Sequence, residues 1–194
     1  MHALTNRLTL ISMSLVFALC WLGGHSLSAQ RGQELQLSLG ASLGYASVTY
    51  GERETAGSVA GLFAELSYGQ AIGRLQVTNP LMSTFSDESN LEGGYGVHGS
   101  LGYNVFLTEQ FHLPLMAVGG VTVLNYNNGF NGSTSGSEFT DASPQVGLLI
   151  APYYQISPMV SIQGAFRYLK GFVASDESKA INLLDLSLGL RLTF

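Results

Sequence analysis

The last twelve residues of the chain, from Leu183 to Phe194, alternate between apolar and polar side chains. The even-numbered positions from Leu184 onward are apolar, and the odd-numbered positions between them are polar or small and include Asp185 and Arg191. Successive side chains of a β-strand point to opposite faces, so this pattern predicts a strand with one continuous apolar face. An uncharged strip of this length is typical of a strand that faces lipid.

The same period of two recurs in seven earlier segments. We predict further strands near residues 34–50, 58–68, 74–80, 95–105, 112–123, 146–156 and 160–168. The first, third, fifth and seventh connections are expected to be long, polar and acidic, whereas the second, fourth and sixth contain only a few residues. An even strand number with loops sorted in this way predicts an all-β fold, an eight-stranded antiparallel up-and-down transmembrane β-barrel.

Charged residues within the predicted strands lie on the face opposite the apolar strip. They are Glu65, Arg74, Arg167, Asp185 and Arg191. A Lys or Arg facing lipid at mid-membrane costs about 2–4 kcal/mol, so we assign all five to the barrel interior. Counting back from the hairpins predicts ion pairs between Glu65 and Arg74 and between Arg167 and Asp185. The alternative is that the registers differ by two residues and each charge meets water.

Aromatic residues occur near both ends of the predicted strands, as in two interfacial girdles. On the side of the short turns are Tyr68, Tyr103, Phe106, Phe111, Tyr153, Tyr154 and Phe194. On the side of the long loops are Tyr50, Phe85, Tyr95, Tyr126, Phe166 and Tyr168. Alternatively, some of these aromatic residues, such as Tyr153, fill the interior. The same alternative applies to Phe63.

The N-terminal segment has the features of an export signal. Arg7 precedes an apolar run over residues 8–22, and small residues follow as far as Ala29. The run is shorter than the ~20 residues that a spanning helix needs, so cleavage is expected. We therefore predict a signal peptide over residues 1–29 and a single barrel domain over residues 30–194.

Loss of this segment changes the composition. Cys20 and Trp21, the single residues of their type, would be removed, which excludes disulfides and cysteine chemistry from the mature chain. Seven Lys and Arg would remain against thirteen Asp and Glu, a balance that argues against nucleic acid as a partner. Only His98 and His112 would remain as histidines in the mature chain, at opposite faces of different strands or at a strand start, which gives little support to a metal site, and we expect no cofactor.

The C-terminus carries a recognisable pattern. Ser187 is followed by Gly189, by apolar residues at every second position including Leu192, and by the terminal aromatic Phe194. This resembles the signal by which bacterial outer-membrane proteins are recognised for barrel insertion. With the export signal, the chain resembles small eight-stranded barrels of the OmpA/OmpX-like class. The resemblance implies export to the bacterial outer membrane, periplasmic chaperones and the barrel-assembly machinery as partners, and contact with outer-membrane lipids and lipopolysaccharide.

The leading functional hypothesis is a non-enzymatic, monomeric outer-membrane barrel with a structural or surface-interaction role. An eight-stranded barrel is just wide enough to be filled by its own side chains. The polar residues expected to join the charged ones inside are Gln36, Ser38, Gln76, Asn104, Gln145, Gln155 and Gln163. The acids expected in the external loops are Glu52, Glu54, Asp87, Glu88, Glu92, Glu138, Asp141, Asp176 and Glu177. These acids either bind partners and divalent cations or are simply solvated.

Two alternatives remain open at this point. Lipid A deacylases with eight strands use a His-x-Ser-Asn motif, which His98 and Ser100 match in part, although Leu101 replaces the Asn. A narrow passive pore is the second alternative, because several inward glycines leave space in the interior. These glycines are Gly40, Gly44, Gly61, Gly102, Gly120 and Gly147. Inward glycine also permits the tight curvature of a small barrel.

Overall fold

The computed structural model describes residues 34–50, 53–80, 91–126, 139–173 and 176–194. The strands in these ranges are β1 (Leu35–Tyr50), β2 (Arg53–Tyr68), β3 (Ala71–Pro80), β4 (Leu91–Phe106), β5 (Phe111–Tyr126), β6 (Phe139–Ile150), β7 (Tyr153–Gln155), β8 (Val160–Val173) and β9 (Asp176–Thr193). No helix among these residues is long and apolar enough to span a membrane. The predicted signal peptide lies outside the described residues.

The strands close into one antiparallel barrel. Strands that follow one another in the chain pair with each other, except β6 and β7, and β1 pairs with β9 to complete the ring. β6 and β7 both lie between β5 and β8 and are separated by Ala151 and Pro152, so together they occupy one position in the wall. The described wall therefore has eight positions, which confirms the predicted all-β up-and-down barrel.

The registers give the tilt and width of the barrel. A path drawn across the strands from Ser38 passes through Glu65 and Arg74 and returns to β1 at Val48, ten residues further on. Eight strands about 4.8 Å apart with this stagger require a tilt of about 40° and a backbone radius of about 8 Å. The interior is therefore wide enough for side chains and little else.

Glycine allows the wall to curve this tightly. A side chain at Gly147 of β6 would collide with the carbonyl group of Tyr168 on β8. At Gly40 of β1 a Cβ would enter the ring of Phe63, which occupies the interior beside it. These inward glycines are in contact with neighbouring atoms, so the space left by their missing side chains is already filled.

Two of the four connections expected to be long are short. Residues 51–57 were predicted as a charged loop, but β1 and β2 remain paired up to Tyr50 and Arg53. β8 and β9 likewise continue to Val173 and Asp176. Hydrophobic alternation marks a strand only where its two faces meet different surroundings. At the loop-side ends of these strands the alternation therefore stops, although the backbone pairing continues. The other two connections, residues 81–90 and 127–138, lie outside the described residues.

The outward face forms an apolar belt. Large apolar side chains such as Leu101 and Leu188 are 75% and 71% exposed, and the strand positions beside them point inward and are largely buried. On β4, Tyr95 and Tyr103 face outward at the two edges of the belt. Eight residues of a strand tilted by about 40° rise about 20 Å, close to the ~25 Å apolar band of outer-membrane barrels. Tyr153 and Phe63 are buried in the interior, in agreement with the alternative given for them above.

Candidate functional site: the barrel interior

Glu65 is the centre of a charged cluster near the short turns. Arg74 faces it in the β2–β3 register and donates from Nε and Nη2 to Glu65 Oε2 at 2.9 and 2.6 Å. Arg191 of β9 donates from Nε to Glu65 Oε1 at 3.0 Å, with its Nη2 at 2.8 Å from the same oxygen. Arg191 reaches across β1, where its register partner Gly40 has no side chain. One carboxylate thus holds two guanidinium groups.

The two arginines gain further support from polar and aromatic neighbours. Arg74 Nη2 donates to Gln163 Oε1 across the barrel at 3.0 Å, and its guanidinium lies 4.4 Å from the ring centre of Phe63. Arg191 lies 4.3 Å from the ring centre of Tyr153. Two cations around one anion leave a formal charge of about +1, which the aromatic faces help to stabilise. We call Glu65, Arg74, Arg191 and Gln163 the turn-end cluster.

A stack of rings lies beside the turn-end cluster at the mouth of the barrel. The ring of His112 stacks on Tyr153 with centroids 4.7 Å apart, and Phe106 meets His112 edge-on at 4.9 Å. Asn104 Nδ2 donates to the Tyr153 hydroxyl at 3.2 Å. The three rings and Arg191 line a cavity of about 770 Å³ that opens at the turn end. The mouth is therefore accessible, but the stack and the cluster block its continuation into the barrel.

A second charged cluster occupies the interior nearer to the loops. Arg167 and Asp185 face each other in the β8–β9 register, and Arg167 Nη2 donates to Asp185 Oδ2 at 2.6 Å. Arg167 Nη1 also lies 3.3 Å from His98 Nδ1. His98 Nε2 lies 3.3 Å from both Gln145 Oε1 and Thr122 Oγ1, and Thr122 donates to the same Gln145 oxygen. We call these five residues the loop-end cluster.

The loop-end cluster specifies the tautomer of His98. A guanidinium has no acceptor atom, so His98 Nδ1 must accept the hydrogen bond from Arg167. The proton of the neutral ring then lies on Nε2, which donates towards Gln145 and Thr122. His98 is 1% exposed and is committed to this network on both nitrogens.

The interior also contains an apolar cluster that the sequence analysis missed. Its buried members are Val48, Ile72, Met116, Val118, Leu124, Leu149, Ala151, Leu169, Ile181 and Leu183. The polar side chains expected above therefore account for only part of the interior. The available signal was the occurrence of two consecutive apolar residues, as at Leu148–Leu149 and Leu183–Leu184, because one of each pair must face inward.

The remaining candidate residues are placed as follows. His98 and Ser100 are both buried inside the barrel, not at the outward face that a lipid substrate would reach. Of the predicted assembly signal, Ser187 faces inward, Leu192 and Phe194 face outward, and the Phe194 amide donates to the Leu37 carbonyl at 2.9 Å. Of the polar residues expected inside, the structure buries Ser38, Gln76, Asn104, Gln145 and Gln163, leaves Gln155 half-buried and exposes Gln36. None of the nine loop acids has a described side chain.

Comparison with known proteins identifies the fold. No family model matches the chain, and no curated protein matches it. Neisserial surface protein A has a similar structure, with a TM-score of 0.63 and 16% identity over 84% of this chain and 100% of that one. The chain has the fold of the small OmpA/OmpX-like outer-membrane barrels. Ail of Yersinia pestis, solved with the heparin analogue sucrose octasulfate, matches with a TM-score of 0.53 and 12% identity over 83% of this chain and 99% of that one.

The likeness concerns the fold. Both solved structures are matched over essentially their whole length, so it extends round the complete barrel and is not confined to one hairpin. At this level of identity the side chains of the turn-end and loop-end clusters must be interpreted from their own geometry. Among the described side chains, no group of three or more His, Cys, Asp or Glu could hold a metal ion.

Proposed function

We propose that the chain is a non-enzymatic integral protein of the bacterial outer membrane, with a closed interior and a structural or surface-interaction role. The observation that carries this proposal is the inverted distribution of side chains. Leu188 and its neighbours expose a continuous apolar belt, whereas Glu65, Arg74, Arg167 and Asp185 are buried inside. In water this arrangement would expose a large apolar surface, while in a bilayer the belt faces hydrocarbon and the charged side chains lie paired in the interior.

We infer a closed interior from two levels of packed side chains. At the turn end these are the stacked rings around Tyr153 together with the turn-end cluster, and nearer to the loops they are the loop-end cluster with the adjoining apolar side chains. A hydrated ion would have to displace paired charges in a tube of about 8 Å backbone radius. We therefore favour a barrel with little conductance over the passive pore.

The position of His98 and Ser100 argues against lipid hydrolysis. A deacylase site must meet a lipid ester at the outer surface, but both side chains are buried in the interior. His98 Nδ1 accepts from Arg167, a cation, instead of receiving the orienting carboxylate of a triad. The partial motif is better explained as part of the loop-end cluster.

The remaining parts of the proposal rest on the sequence. We propose export through the signal at residues 1–29, delivery by periplasmic chaperones, and insertion by the barrel-assembly machinery through the pattern ending at Phe194. The chain would then contact outer-membrane lipids and lipopolysaccharide as a monomer. Adhesion or cation bridging through the acidic loops is a further proposal within the same function.

Refolded protein tests the proposal directly. The mature chain in phosphatidylcholine bilayers should migrate differently on gels before and after boiling, and should show little or no conductance in planar bilayers. Tyr153→Ala combined with Arg191→Ala opens the turn end but leaves the loop-end cluster in place, so any conductance that it gains over wild type measures how much the turn end contributes to closure. Failure to insert, a steady wild-type conductance, or acyl release from lipopolysaccharide that His98→Ala abolishes would contradict the proposal.

A further inference from the structure

One charged residue breaks the rule that charges in the strands face inward. Among the charged strand residues whose side chains the structure describes, Lys170 of β8 alone faces outward and is exposed. It follows Phe166 and Tyr168 on the same face, so it lies at the loop-end edge of the apolar belt. A lysine costs about 2–4 kcal/mol at the bilayer midplane but only about 0–1 kcal/mol near the interface. Its position is therefore compatible with the head-group region.

The neighbours of Lys170 are hydrogen-bond donors and apolar groups. Asn182 lies opposite it in the β8–β9 register, and Val146 lies opposite it on β6. The Tyr168 hydroxyl donates to Asn182 Oδ1 at 3.2 Å, which engages the amide oxygen and leaves Nδ2 as the amide donor. Opposite residues have Cβ atoms about 5 Å apart, so the ammonium and amide groups can contact a single anion. Neither Asn182 nor Val146 carries a carboxylate that would neutralise the charge of Lys170.

An apolar groove begins further down the same side of the wall. It has a volume of about 610 Å³, and the small side chains of Ala41 and Ala60 line it together with Leu43, Leu62 and Leu188. β9 connects the two features, because Asn182 and Leu188 are six residues apart on its outward face. Six residues at this tilt descend about 15 Å, a distance that one extended acyl chain can span.

We propose that Lys170 and Asn182 bind the phosphate of an outer-leaflet glycolipid, one of whose acyl chains lies in the groove beside Ala41 and Ala60. The inference rests on the proposed outer-membrane location and names the lipid chemistry recognised there. The ammonium group of Lys170 contacts the phosphate, the side-chain amide of Asn182 donates a directional hydrogen bond to it, and the groove selects a ligand that carries an acyl chain. Lipopolysaccharide is thus bound at a defined point of the wall, in addition to any contact through the acidic loops.

The experiment compares variants in bilayers of defined composition. Wild type, Lys170→Arg, Lys170→Gln and Ala60→Leu are refolded in phosphatidylcholine with or without bisphosphorylated lipid A, and the urea midpoint of unfolding is measured. Lipid A should raise the midpoint for wild type and for Lys170→Arg. Lys170→Gln should bind lipid A about fivefold more weakly, since one basic residue near a membrane surface contributes about 1 kcal/mol. Ala60→Leu, which fills the groove, should lose part of the shift although Lys170 is intact.

The controls separate this inference from the proposed function. Glu34→Gln changes one exposed charge at the turn end and should leave the lipid A shift unchanged. An equal shift with dephosphorylated lipid A or with phosphatidylglycerol would overturn the phosphate-glycolipid site, as would an undiminished shift in Lys170→Gln. Failure of the wild type to insert into phosphatidylcholine alone would instead count against the outer-membrane proposal.

Discussion

Removing the charge of Glu65 should destabilise the barrel far more than removing one exposed charge at its surface. Glu65→Gln keeps the size of the side chain but leaves Arg74 and Arg191, both under 5% exposed, without their shared anion. Breaking a buried ion pair by removing one partner costs about 3–5 kcal/mol. Part of the loss is offset, because the ring of Phe63 still contacts Arg74, the ring of Tyr153 still contacts Arg191, and the new glutamine keeps one amide oxygen as an acceptor. We expect a net loss of about 3 kcal/mol or more in the free energy of unfolding, within that range.

The measurement is urea unfolding in lipid vesicles, followed by far-UV circular dichroism and by the gel shift of unboiled samples. Tryptophan fluorescence is unsuitable, because the single tryptophan, Trp21, lies in the predicted signal peptide. Glu34→Gln is the matched control, since Glu34 is exposed at the turn end of the same barrel. A surface substitution of this kind should change stability by no more than about 0.5 kcal/mol.

A third variant tests the cause of the loss. Replacing the whole group, Glu65→Leu with Arg74→Met and Arg191→Met, removes the charges together and should be less destabilising than Glu65→Gln alone. If Glu65→Gln unfolds within about 1 kcal/mol of wild type, unpaired charge does not control stability here. If the triple variant is as unstable as the single one, the loss arises from packing and not from electrostatics.

Three further predictions concern the wall and the C-terminus. Gly147→Ala should cost about 1–3 kcal/mol, because its methyl group would meet the Tyr168 carbonyl, whereas Gly119→Ala, with no atom within 4 Å, should be nearly neutral. Equal urea midpoints for the two variants would contradict this account of the curvature. Leu188→Arg should lose about 2–4 kcal/mol in bilayers, and a smaller loss than for Leu188→Ala would place this position outside the hydrocarbon. Deleting Phe194 should reduce outer-membrane assembly in cells, measured by fractionation; normal assembly would refute its role as a signal.

The local pattern explains why the general architecture was predictable. Alternation along each strand depends only on adjacent residues, and it placed Leu188 outward and Arg167 inward without knowledge of any partner. Pairs across a hairpin, such as Glu65 with Arg74, follow from counting residues back from a turn. The same method did not extend to the ends of the strands, where residues 51–57 are polar on both faces and carry no alternation.

The two interior clusters were less predictable because their contacts are non-local. His98 is 69 residues from Arg167 in the chain, and Gln163 is 89 residues from Arg74. The stagger of the closed barrel determines which of these side chains lie at the same height along the barrel axis. No single strand encodes that stagger. The apolar cluster was overlooked for another reason, since only polar and charged side chains and a few aromatic ones were considered for the interior, and an apolar residue such as Leu149 was assigned no face.

The amino-acid sequence by itself determined which side chains face out and which face in, because that choice is repeated every two residues and is decided by the surroundings of each face. Only the tertiary structure decided that Glu65 holds Arg191 as well as Arg74, and that Arg167 lies beside His98. The physical reason is the closure of β9 against β1 with a stagger of ten residues, which brings distant parts of the chain to one level. Local alternation specifies the face on which each side chain lies, and closure of the barrel specifies which inward side chains come into contact.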